Sequence, residues 1–242
     1  MGKIVALGGG ELRLNETMLI DKFIVEFADV SKPKLLFIPT ASNDSRGYIE
    51  IIKKIYGEQL KCEIDTLLLV NNNTTEYEIQ QKILSSDIIY VGGGDTTKMM
   101  EVWRNNEVDK YLREAYVKNI VLSGISAGSI CWFSKGHGDS NIKTNPEGWW
   151  DYSRTTGIGL IPAIHCPHYN LEGHKSFDNA MKSQQISGIA LEDNCAIVIK
   201  DDMYKIIKSN ENSKAYLLKN DNGIVNKREL NAFDFSPLSD IL

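Results

Sequence analysis

Along the first half of the chain, short apolar runs alternate with longer amphipathic stretches, and every run stops at a turn signal. Ile4 to Leu7 ends at Gly8-Gly9-Gly10, Lys34 to Ile38 at Pro39, and Ile64 to Val70 at an Asn cluster. Ile88 to Val91 ends at Gly92-Gly93-Gly94, and Ile120 to Leu122 at Ser123-Gly124. Runs this short and this apolar are strands buried on both faces, and the stretches between them are long enough for crossover helices. In Glu16 to Val30, Met18, Leu19, Phe23, Ile24 and Phe27 recur at helical spacing, and Tyr48 to Tyr56 and Tyr77 to Leu84 behave likewise. Thr96 to Trp103 and Val108 to Val117 read as a helical pair. The fold class that follows is α/β, a three-layer α/β/α arrangement around a mostly parallel sheet.

After about residue 196 the texture changes to short strands, Ala196 to Ile199, Tyr204 to Ile207 and Ala215 to Leu218, the last running into the hairpin signal Asn222-Gly223. These are expected as an antiparallel tail on the same sheet. A length of 242 residues with no linker, repeat or low-complexity stretch is read as one domain, 1–242.

Charge and cysteines exclude several classes. A net charge of -5 disfavours binding to a phosphate backbone, so no nucleic acid partner is expected. No apolar run approaches the ~20 residues of a membrane span, and the start Met-Gly-Lys-Ile-Val-Ala shows neither a leader nor a myristoylation pattern. The cysteines Cys62, Cys131, Cys166 and Cys195 form no CxxC pair, which suits a reducing cytoplasm.

Gly124-Ile125-Ser126-Ala127-Gly128 fits G-x-S-x-G between an apolar strand and a helix-compatible run. In that context the serine sits on a sharp strand-to-helix turn with its hydroxyl projecting at the sheet edge. A serine needs a base, and only four histidines are available. His137 reads as exposed loop and His174 as a solvated helix start, whereas His165 and His168 close the run Ile158 to Ile164, where open α/β sheets place their sites. Alternation and Pro167 leave His168 at the edge as the base and make His165 a packed strand residue. The pair also spells H-x-x-H, but no third ligand stands at metal spacing, so neither a metal nor an organic cofactor is expected.

The acid that orients the base is read as Glu192, after the run Ile186 to Leu191, with Asp139 as the competing choice. Oxyanion donors are read as the backbone N–H groups of Ala127, just after the serine, and Gly94 in Gly92-Gly93-Gly94-Asp95-Thr96. That glycine loop lacks both the Walker and the dinucleotide patterns, which disfavours a nucleotide.

Ser126, His168 and Glu192 in this order, with Gly-Gly-Gly-Asp-Thr upstream, differ from α/β-hydrolases, where the acid precedes the histidine. The chain resembles the serine peptidase family that contains the aspartyl dipeptidases (peptidase E) and the cyanophycinases. The resemblance is carried by Phe37-Ile38-Pro39-Thr40-Ala41-Ser42, Tyr90 to Thr96, Gly124 to Gly128, Pro167-His168-Tyr169 with Glu172-Gly173-His174, and Leu191-Glu192-Asp193-Asn194. It implies the class I glutamine amidotransferase-like, flavodoxin-like fold, with Ser126 as nucleophile, His168 as base, Gly94 and Ala127 as oxyanion donors, and either Glu192 or Asp139 as the acid. The elbow departs from the aspartyl dipeptidase pattern at Ile125 and Ser129-Ile130, and the start of the chain is closer to the cyanophycinases. An acidic substrate would call for a cation, for which Arg154, Lys135, Lys143 and Arg46 are candidates, and Pro146 to Tyr152 could wall the pocket.

The expected function is a cytoplasmic serine peptidase acting on dipeptides or short peptides, with N-terminal Asp as a candidate preference. The alternatives are a cyanophycinase-like or other amide hydrolase and, in a different class, a non-catalytic ligand-binding member of the fold. A homodimer is the base-rate expectation.

Overall fold

The computed structural model describes residues 2–70, 73–144 and 150–242, with backbone alone at 139–144 and 150–154. The calls on Asp139, Lys143, Arg154 and the Pro146–Tyr152 segment fall on side chains or residues outside that description.

Five parallel strands form at the apolar runs: β1 (Lys3–Leu7), β2 (Lys34–Ile38), β3 (Glu63–Thr66), which ends four residues before the expected Val70, β4 (Ile88–Val91) and β5 (Val121–Ile125), which runs on through Ser123-Gly124. Between them run α1 (Met18–Phe27), α2 (Arg46–Ile52), α3 (Glu76–Leu84), α4 (Thr96–Asn105) and α5 (Val108–Val117). Their starts are written in the sequence. Ser45 caps α2, Thr75 and Glu78 form a capping box on α3, and Asp95 caps α4.

Strand alternation divides the core into two layers. Val5, Leu7, Leu35, Phe37, Ile88 and Tyr90 face Ile20 and Ile24 of α1 and the segment around Tyr56. Ile4, Ala6, Leu36, Ile38, Ile89 and Val91 face α3, α4 and α5. Within α1 the buried positions are Ile20, Asp21 and Ile24, while Leu19, expected on the inner face, is 62% exposed. The Phe23 and Phe27 rings stack on each other at 5.2 Å, pack against the margin of the same core layer and are flanked by Lys205 and Lys3.

The chain continues through α6 (Ala127–Ile130), β6 (Phe133–Thr144), β7 (Trp150–Thr156), β8 (Ile161–Cys166), α7 (Phe177–Met181) and β9 (Gly188–Leu191). It closes with β10 (Cys195–Lys200), β11 (Met203–Lys208), β12 (Ala215–Asp221), β13 (Ile224–Glu229) and β14 (Ser236–Pro237). One sheet has the order β14-β11-β10-β1-β5-β4-β2-β3, and a second the order β13-β12-β9-β8-β6-β7.

The C-terminal tail therefore divides, contrary to the expectation that all of it extends the first sheet. β10 pairs antiparallel with β1, and β11 with β10, but β12 crosses to β9 with Ala215 opposite Leu191. The reason is burial: Ala215 and Leu217 share one apolar cluster with Ile189 and Leu191, and the outer edge of β11 is taken by β14. That cluster also contains the inner side chains of β1, β2 and β4, so both sheets close on common apolar ground.

The consequence for function lies in the loops. The turns after β1, β4 and β5 in the first sheet meet the turns after β8 and β9 in the second.

Candidate active site

The serine is placed by a strained turn. Ser126 ends β5 at φ 57 and ψ -120, a region that non-glycine residues adopt only when their surroundings impose it. Its N–H is held by the Leu7 carbonyl at 3.1 Å, which ties the turn to β1. Gly124 and Gly128 permit the bend because a β-carbon at either would run into backbone, at Gly128 the Val91 and Gly92 carbonyls.

His168 follows Pro167 at the end of β8 and takes positive φ, 52, with its N–H bound to the Gly8 carbonyl at 3.1 Å. Its Nε2 lies 2.8 Å from Ser126 Oγ and its Nδ1 lies 2.6 Å from Asp193 Oδ1. An ionised carboxylate only accepts, so Nδ1 carries the proton and donates to Asp193. The neutral ring then presents the Nε2 lone pair to the Ser126 hydroxyl. Burial raises the Asp193 pKa, but the bonds from His168 and Asn170 outweigh it and hold the carboxyl below its ordinary range. Asn170 grips Asp193 twice, donating to Oδ2 at 3.0 Å and accepting the Asp193 N–H at 2.9 Å.

The acid in contact with His168 is thus Asp193, not Glu192. Glu192 stays in the ladder: its N–H goes to the Lys214 carbonyl at 3.0 Å and its carboxylate accepts the Lys214 N–H at 2.9 Å. The turn begins one residue later. The Asn194 N–H closes on the Gly9 carbonyl at 2.9 Å, with Asn194 at φ 62, and this swings Asp193 inward.

Gly8-Gly9-Gly10, read from sequence as a turn at the same sheet edge, is part of the site. A β-carbon on Gly9 would overlap both Asp193 Oδ1 and the His168 ring, so the bare α-carbon is the floor of the pair. The sequence signal was the glycine run at a strand end beside two others.

His165 is fully buried and stacks on Phe133 with ring centroids 4.4 Å apart. Its Nδ1 donates to the Ile189 carbonyl at 2.9 Å and its Nε2 lies 2.9 Å from Ser129 Oγ. Burial lowers its pKa to about 4, which keeps it neutral. His137 and His174, expected as solvated, are buried instead. His137 bonds Ser176 Oγ at 3.0 Å, and the His174 ring stands 5.8 Å from that of His168, edge to face. Among the described residues no group of three or more His, Cys, Asp or Glu side chains is arranged to hold a metal ion.

Ala127 opens α6, and its N–H has no intrahelical partner by position. Gly94 takes φ 139 with its α-carbon against the Ala41 carbonyl, and the next N–H, of Asp95, binds that same carbonyl at 2.8 Å. Gly93 lies alongside the serine, a β-carbon there coming to 3.4 Å from Ser126 Cβ.

A cleft of about 450 Å³ opens beside these loops, lined among others by Gly10, Glu11, Arg13, Ser45, Gly47 and Tyr48. Glu11 and Arg13 form an exposed ion pair at 3.2 Å on its rim. Arg46, one of the expected cations, is exposed between two lining residues, and Lys135 is exposed on β6. Among the described residues no helix is long and apolar enough to cross a membrane.

The model of peptidase family S51 matches residues 4–207. The uncharacterized peptidase YgaJ of Bacillus subtilis (strain 168) is 30% identical over 221 residues, which covers 89% of this chain and 91% of that protein. The crystal structure of a peptidase from an acI-B1 Actinobacterium superposes with a TM-score of 0.74 at 20% identity, over 98% of this chain and 97% of that one. A Listeria monocytogenes EGD-e protein provisionally named peptidase E gives a TM-score of 0.64 at 20% identity, over 86% of this chain and 98% of that one. The last two likenesses speak for the fold alone.

Proposed function

The chain belongs to peptidase family S51, and on that premise we propose that it is a serine peptidase that cleaves dipeptides or short peptides through an acyl-enzyme on Ser126. The observation that carries this reading is the unbroken row from Ser126 Oγ through His168 to Asp193, with links of 2.8 and 2.6 Å.

The chemistry follows from the row. As Ser126 Oγ attacks the peptide carbonyl carbon, its proton passes to His168 Nε2, and the imidazolium is stabilised by ionised Asp193. The carbonyl oxygen takes up the negative charge and is met by the N–H groups of Ala127 and Gly94, each such donor being worth ~3 to 4 kcal/mol. His168 then gives the proton to the leaving nitrogen, the C–N bond breaks, and Ser126 carries the acyl group as an ester. Water then gives a proton to His168 as its oxygen attacks the ester carbonyl, the C–O bond to Ser126 breaks to release the carboxylic acid product, and His168 passes that proton to Ser126 Oγ. No metal or organic cofactor enters any step.

A cleft of ~450 Å³ next to the Gly8-Gly9-Gly10 turn has a size that suits a small ligand, and Glu11 and Arg13, paired with each other, stand on its rim. Among the described residues, Arg13 on the cleft rim and the exposed Arg46 are candidate cations for an N-terminal Asp side chain.

The test is a panel of dipeptides, tripeptides and blocked peptides, with Asp-Xaa and uncharged first residues side by side, given to wild type and Ser126→Ala. Hydrolysis of free dipeptides by wild type alone supports the proposal. Equal rates for Asp-Xaa and Ala-Xaa remove the Asp preference. Hydrolysis only of non-peptide amides or of isopeptides points to the cyanophycinase side, and no turnover at all to a ligand-binding role.

A further inference from the structure

Beneath the reacting pair lies a second serine–histidine contact. Ser129 stands three residues after Ser126, in α6, and His165 three residues before His168, in β8. Ser129 Oγ lies 2.9 Å from His165 Nε2, much as Ser126 Oγ lies 2.8 Å from His168 Nε2. Neither Ser129 nor His165 exposes any surface, so this pair meets no substrate.

The protons of the pair can be assigned. The Ile189 carbonyl only accepts, so His165 Nδ1 carries the ring's proton and donates to it at 2.9 Å, and the bare Nε2 faces the Ser129 hydroxyl. The same hydroxyl lies 2.7 Å from the Ser126 carbonyl oxygen, which also accepts the Ser129 and Ile130 N–H groups at 2.9 and 3.2 Å. One O–H thus stands between two acceptors, the imidazole on the base's strand and the main chain of the nucleophile itself. The ring is held in place as well: Phe133 stacks on it at 4.4 Å, and Ile189 lies opposite it in the β8–β9 ladder.

We infer that Ser129 and His165 are positioning residues that set the spacing of Ser126 and His168. The serine follows β5 of the first sheet and the base follows β8 of the second, so their 2.8 Å contact depends on how α6 sits against β8. With four residues α6 is too short to hold its place by its own hydrogen bonds, and the buried pair seats it on the strand that carries the base. Through the Ser126 carbonyl the same hydroxyl fixes the plane of the Ser126–Ala127 peptide, and so the direction of the Ala127 N–H. The inference rests on the serine peptidase reading above and adds to it two residues that touch no reacting atom.

Ser129→Ala removes both links of the hydroxyl and leaves Ser126, His168 and Asp193 intact. On a cleaved peptide kcat should fall by about 10-fold to 100-fold with KM within about 2-fold, since a small displacement of reacting groups costs rate rather than binding. Reaction of Ser126 with a fluorophosphonate should slow by a similar factor yet still reach one adduct per chain, whereas a folding defect lowers the final amount and not the rate. His165→Gln, whose amide oxygen offers Ser129 an acceptor, should keep more of the kcat than His165→Phe, which fills the ring's place without one. Adding His165→Phe to Ser129→Ala should lower kcat by less than about 2-fold further, because both remove one contact. Where Ser129→Ala does not fold, that double variant, which leaves neither Nε2 nor Oγ unpaired, takes its place in the comparison with wild type.

Unchanged kcat and labelling rate in folded Ser129→Ala overturn the inference, and so do a loss confined to the final amount of adduct and fully additive losses in the double variant. A wild type that neither cleaves peptides nor takes the label overturns the peptidase reading, and the inference with it. A wild type that does both, beside a Ser129→Ala protein that matches its rates, overturns the inference alone.

Discussion

His168 and Asp193 meet at 2.6 Å across the bare α-carbon of Gly9, so the base and its acid are brought together by the first turn of the chain. His168 is held there by the Gly8 carbonyl, and the Asp193 turn by the Gly9 carbonyl through the Asn194 N–H. The turn after β1 thus joins a loop from β8 to a loop from β9, two strands of the other sheet.

The choice between the adjacent acids is directly testable. Asp193→Asn keeps the shape but lets an amide N–H face His168 Nδ1, which leaves the proton on Nε2, where it cannot accept from Ser126. We expect kcat to fall by about 10²- to 10⁴-fold. Glu192→Gln should stay within a few-fold of wild type, because its carboxylate serves only the Lys214 N–H. Steady-state peptide hydrolysis by both variants checks this, and the reverse ranking would restore Glu192 as the acid.

Gly9→Ala should separate activity from folding. The added methyl has no room beside Asp193 Oδ1 and the His168 ring, and the side chains can yield where backbone cannot. Overpacking of this kind costs about 1 to 3 kcal/mol, and the same displacement breaks the 2.6 Å contact. A loss of kcat of about 100-fold in a protein that still unfolds cooperatively in urea is the expected outcome. By contrast, Gly128→Ala drives a methyl into the Val91 carbonyl and should fail mainly as a stability defect.

What the sequence made legible was everything carried by local pattern. The five parallel strands, the elbow at Ser126 and the choice of His168 over His165 follow from apolar runs, glycine spacing and alternation, and β2, β4 and α5 match their expected bounds. What it did not carry was set by long-range pairing. Glu192 and Asp193 are equally acidic neighbours, and only the pairing of β9 with β12 decides that the ladder runs through Glu192 before the chain turns. The crossing of β12 to a second sheet, and the burial of His137 and His174 under that sheet's loops, depend on partners far away in the sequence.

Asp21 gives a pH signature unconnected with catalysis. It is buried in α1, accepts from Thr17 and Tyr56 hydroxyls at 2.7 Å each, and burial raises its pKa from 3.8 to about 6. Between those values the folded state binds more protons than the unfolded one. This contribution is therefore fully present below 3.8 and is lost as pH rises to about 6. The change is on the order of 3 kcal/mol, from about two pKa units at 1.36 kcal/mol each. Asp21→Asn should remove it, gaining stability relative to wild type between pH 4 and 7 by urea unfolding. A difference between the two proteins that does not change with pH would mean that Asp21 stays ionised in the fold.

The most direct measurement of the central claim is the intact mass of the protein after reaction with a fluorophosphonate. The account predicts one adduct on wild type, mapped to the peptide containing Ser126, no adduct on Ser126→Ala, and much slower labelling of His168→Ala and Asp193→Asn. A wild type that takes no label while folded, or a Ser126→Ala variant labelled at the wild-type rate, would contradict it.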